Sequence, residues 1–61
     1  MKLKEIHQFL IGIEEVLAEK VRLQEKKKTL PQEIKEYTKG QLYEAQDILR
    51  IVERIIYEDN N

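Results

Sequence analysis

Two long apolar stripes at three- and four-residue spacing, separated by the chain's only proline, constrain what this sequence can become. In the first stripe Leu3, Ile6, Leu10, Ile13 and Leu17 fall on one side of a helical wheel, with Phe9, Val16 and Val21 flanking them. In the second, Ile34, Leu42, Ala45, Ile48, Leu49, Val52, Ile55 and Ile56 share one arc. This spacing marks amphipathic helices. Pro31 is tolerated in a first helical turn and not deeper, so it reads as the start of the second helix. Thr29 and Gln32 have the spacing of a capping box there. Lys26, Lys27 and Lys28 suit the end of the first helix, where cations complement the macrodipole. The expected fold is all-α: helices over about 3–28 and 31–57, joined by a turn at Thr29-Leu30-Pro31. So short a turn forces an antiparallel two-helix hairpin. Residues 1–61 read as one domain, with a polar tail at 58–61 that frays. Gly40 interrupts the second helix at about 1 kcal/mol relative to alanine. It marks a kink or a close backbone approach.

The stripes are wider than one helix–helix contact requires, since two helices meet along a narrow seam. A core in so short a chain rarely supplies more than about 3–5 kcal/mol. Cysteine is absent, so no disulfide or thiolate metal site can add to it. His7, the single histidine, cannot form a zinc site alone. Self-association into a four-helix bundle, most simply as a homodimer, is therefore expected. Its core and self-association surface would comprise Leu3, Ile6, Phe9, Leu10, Ile13, Leu17, Leu42, Ile48, Leu49, Val52, Ile55 and Ile56.

Charge narrows the function. Eleven Lys and Arg against twelve Asp and Glu leave a formal charge of −1. Nucleic-acid binding calls for a net basic face, so it is disfavoured. Phe9-Leu10-Ile11-Gly12-Ile13 is too short to span a bilayer and lacks a signal-peptide cleavage pattern. A cytoplasmic location is expected. Glu15 and Glu19 share a helix face, as do Glu44 and Asp47, but the Glu-x-x-His spacing of di-iron bundles is missing. No Gly-rich phosphate loop, nucleophile motif or acid–base constellation occurs. No catalytic, metal or cofactor role is assigned, and the chain is not expected to be an enzyme.

The stripes also change character along their length. Past Leu17 the first meets Lys20, Gln24 and Lys27; before Leu42 the second meets Tyr37, Thr38 and Gln41. Folding at Leu30 brings these stretches together, so the loop end should be polar and loosely packed. Lys20, Gln24, Tyr37 and Gln41 would form a hydrogen-bonded layer there. The apolar terminal end would assemble the protein. Lys26, Lys27, Lys28, Tyr37 and Tyr43 would face a partner, since exposed aromatics anchor interfaces. Ile11, Tyr43 and Tyr57 lie off the core arcs. These features point to a small protein-binding module of inhibitor or adaptor type, the kind of product common in phages and other mobile elements by analogy alone. The alternatives are a small nucleic-acid-associated regulator with a basic tip, and an obligate subunit of a larger complex.

Overall fold

The computed structural model describes residues 2–59. Helix α1 spans Leu3–Glu25 and helix α2 spans Gln32–Asp59. They pack against each other as an all-α helical hairpin. The rod measures 49 × 15 × 14 Å with a radius of gyration of 14.3 Å. A compact domain of this length would have a radius of gyration of about 10.5 Å.

The inward stripe of α2 forms the core. Ala45, Leu49 and Val52 are buried, and so is Thr38, at 2 % exposure the most buried of the four. No residue of α1 is fully buried. Its stripe of Leu3, Ile6, Leu10, Ile13 and Leu17 is half-buried throughout. One neighbouring helix covers only a narrow band of each apolar arc, so neither helix buries its whole stripe.

Several boundaries differ from expectation. Helix α1 stops at Glu25 rather than Lys28. The Lys26 and Lys27 amides close the last turn on the Leu23 and Gln24 carbonyls, three residues back. Past Gln24 the stripe offers only lysines to the seam, so further helix would bury nothing. The connection therefore occupies residues 26–31, longer than the turn at Thr29-Leu30-Pro31, with Leu30 half-buried in it. Pro31 immediately precedes α2, its carbonyl accepting from the Ile34 and Lys35 amides of the first turn. A capping box would require the helix to follow Thr29 directly, whereas it follows Pro31; the box is two residues out of place. Helix α2 continues past Tyr57 through Glu58 and Asp59, which the sequence had placed in a frayed tail; Asn60 and Asn61 lie outside the described residues.

Gly40 sits inside unbroken helix. A Cβ built there would meet no atom within 4 Å, and the same holds at Gly12. Within one hairpin, then, neither glycine is required by close packing.

Candidate interaction surface

The two flanks of the helix pair differ in chemistry. One is polar and ion-paired. His7 Nε2 lies 3.0 Å from Glu53 Oε2, and Lys39 Nζ lies 2.6 Å from Glu25 Oε1. His7 and Glu25 are about five turns apart on α1, so they share a side of that helix. The Lys39 ammonium, hydrogen-bonded to Glu25, holds that carboxyl below its ordinary value, and the carboxylate in turn raises Lys39. His7 is thus a boundary residue that clips the two helices near their termini.

The other flank is apolar and open. A groove along the seam is lined by Leu10, Ile13 and Leu17 from α1 and by Tyr37, Gly40, Gln41, Glu44 and Ile48 from α2. A second groove adjoins it and is lined by Phe9, Gly12 and Val16. The two share Ile13, Leu17 and Gln41, so they form one continuous face. Phe9 is 69 % exposed and Val16 68 %. Both would ordinarily seek cover, at about 25 cal/mol per Å² of apolar surface left in water.

This arrangement divides the residues expected to form the core and self-association surface. Leu49 and Val52 are buried, and Leu3, Ile6, Leu10, Ile13, Leu17, Leu42 and Ile56 are half-buried, all within the hairpin seam. Phe9, Ile48 and Ile55 are exposed and lie outside the hairpin's own core. Two helices cannot enclose all of an arc this broad.

The residues expected to meet a partner also separate. Lys26, Lys27 and Lys28 are exposed at the tip. Tyr37 lines the apolar groove. Tyr43, 61 % exposed, points away from that groove. It stands about 16 Å along the helix axis from the start of α2, well inside the rod rather than at its tip. The spacing of six residues between the two tyrosines turns them to different faces.

The polar layer expected at the loop end does not form. Tyr37 is 69 % exposed, and Gln24 Oε1 is buried with no hydrogen-bond partner. Thr38 nonetheless occupies the seam there and is almost wholly buried. Its hydroxyl donates to the Ile34 carbonyl at 3.2 Å, which satisfies it without a partner on α1.

Glu15, Glu19 and Asp47 are exposed, whereas Glu14 is half-buried. Glu19 pairs with Arg22, whose hydrogen bond lowers the Glu19 carboxyl from its ordinary value, and Asp47 lies 3.8 Å from Arg50. Among the described residues no group of three or more His, Asp or Glu side chains is placed to hold a metal ion, and no helix is long and apolar enough to cross a membrane.

Sequence reasoning had no means to find the open flank as a separate surface. Its signal was present in the stripe at residues 34, 37, 41, 44, 48, 51 and 55. That stripe adjoins the inward one and cannot be told from it until the helix is rotated into place. No protein-family model, curated protein or solved structure matches the chain.

Proposed function

We propose that this chain is a non-catalytic protein–protein interaction module of the cytoplasm. It assembles with itself into a helical bundle and binds another protein, which it modulates as an inhibitor or adaptor. The continuous apolar flank carries this reading. A hairpin that leaves Phe9, Val16, Tyr37 and Ile48 in water presents a surface suited to protein contact, since large exposed apolar patches mark interaction sites. The tip supplies what a second contact needs: Lys26, Lys27 and Lys28 project from a turn and are not part of the seam.

The test is recovery of a specific protein with a tagged copy in its native host, followed by titration of the purified pair. Lys26→Glu/Lys27→Glu/Lys28→Glu should weaken that binding and leave the circular dichroism melt unchanged, because exposed charges contribute little to stability. An unchanged affinity would remove the tip from the mechanism. Recovery of DNA or RNA in place of protein, with affinity falling steeply as salt rises, would overturn the reading in favour of a nucleic-acid regulator.

A further inference from the structure

The open flank has the form of a second helix-packing seam. On α2, residues 34, 37, 41, 44, 48, 51 and 55 alternate steps of three and four, the repeat of an a/d interface in a helical bundle. Ile34, Tyr37, Ile48, Ile51 and Ile55 are all between 41 and 69 % exposed. On α1, Phe9, Val16 and Leu23 recur every seven residues and are also exposed, Leu23 less so than the other two. Each helix therefore carries two heptad stripes, one turned to its partner helix and one turned out on the same side of the rod.

The rod as a whole carries excess surface of the size an interface needs. The chain exposes 5092 Å² at a mass of 7.4 kDa. A compact monomer of that mass exposes about 4200 Å². The excess of about 900 Å² matches the roughly 800 Å² that each partner contributes to a standard protein–protein interface.

The glycines supply an independent observation. Gly12 and Gly40 both line the open grooves, and each weakens its helix by about 1 kcal/mol relative to alanine. Nothing in the hairpin approaches either one. A bare backbone at both positions would let a facing helix come close.

We propose that the occupant of this flank is a second copy of the same chain, seated over Phe9, Gly12, Val16, Tyr37, Gly40 and Ile48 to complete a four-helix bundle. The inference rests on the self-association reading above and specifies its surface. A second copy fits because it brings the same outward heptads, and a twofold interface requires one patch to be complementary to itself. Gln41 and Glu44 occupy adjoining seam positions midway along α2. In helical bundles a polar layer of this kind fixes register and partner number at a cost in stability. The polar flank with His7–Glu53 and Glu25–Lys39, together with Tyr43 and the lysine tip, stays free for another protein.

Sedimentation equilibrium on the full chain tests this, with circular dichroism beside it. The wild type should be a dimer at micromolar concentration. Phe9→Glu/Val16→Glu should raise the dimer dissociation constant at least 100-fold, whereas Tyr43→Glu on the opposite side should change it less than threefold. Gly40→Leu should also raise it at least tenfold. Leucine favours helix over glycine and has open space in the single hairpin, so that loss cannot come from local unfolding, even if the double glutamate variant fails to fold. A dimeric wild type that tolerates Gly40→Leu and dissociates with Tyr43→Glu would overturn this surface and leave self-association standing. A folded 7.4 kDa monomer at every concentration would overturn both.

Discussion

The middle of the hairpin and its loop end hold together by different means. Around Ala45, Leu49 and Val52 the seam is filled by aliphatic side chains against the half-buried leucines and isoleucines of α1. At the loop end the seam holds Thr38 and Gln24, with the Glu25–Lys39 ion pair closing its edge. Polarity along a stripe is thus a poor guide to packing. A small β-branched residue that bonds its own helix can be buried more completely than any leucine nearby, and Thr38 is. A longer polar side chain at the same seam is a liability, because the Gln24 side-chain oxygen loses water and gains no partner.

The strongest way to break this comparison is at the aliphatic end. Leu49→Ala should cost about 2–5 kcal/mol, as large-to-small changes in a core do. Lys20→Ala, exposed on α1, should be close to neutral in the same denaturant titration. Equal losses would mean that the aliphatic packing is not what holds the seam.

Gln24→Leu sharpens the comparison from the opposite side. Removing a buried unsatisfied oxygen should recover about 1–2 kcal/mol, within the usual cost of leaving such a group unpaired. Thermal melts should show the variant above the wild type. A lower melting temperature would mean that Gln24 has a partner in solution, and that the loop end is a polar layer after all.

The smallest effect belongs to the ion pair. Lys39 depresses Glu25 below its ordinary value of 4.5, so the stability this carboxylate adds is present above that value and is lost as pH falls through the depressed one. Lys39 is raised above 10.5, so its contribution is present below that pH and lost as pH rises through the higher value. Glu25→Gln should therefore melt slightly below the wild type at neutral pH and converge with it in acid. Melts that differ by the same amount at both ends would assign the effect to packing rather than charge. The pair lies in solvent, so screening keeps this term small.

Much of the hairpin was legible because its signals are local. The heptad spacing of Leu3 to Leu17, the arc from Leu42 to Ile56 and the placement of Pro31 are enough to set two antiparallel helices. The end of α1 was not, because nothing in Lys26-Lys27-Lys28 is hostile to helix; the helix stops where burial stops, a tertiary effect. Thr38 was read as a polar interruption since its hydroxyl was counted without the carbonyl four residues earlier that satisfies it. The open flank was hidden for a third reason. Ile48 and Ile55 belong to the same broad arc as Leu49 and Val52, and only the position of α1 decides which of them is covered. Folding at Leu30 placed Tyr43 with the lysines at the loop end, and the rise of the helix carries them apart.

The turn at residues 26–31 also shapes how the chain can find its fold. Every contact between the helices encloses that turn, and contacts nearer the termini enclose steadily longer stretches of chain. Closing the loop between Glu25 and Lys39 costs about 1 kcal/mol less chain entropy than closing the one between His7 and Glu53. The cheapest closures lie at the end with the least aliphatic filling, and the most rewarding burial lies further along, at Leu49 and Val52. Folding that zips from the tip would meet its weakest contacts first, placing the barrier before the aliphatic seam has formed. Substitutions at Thr38 would then act mainly on the rate of folding, and those at Val52 on the rate of unfolding.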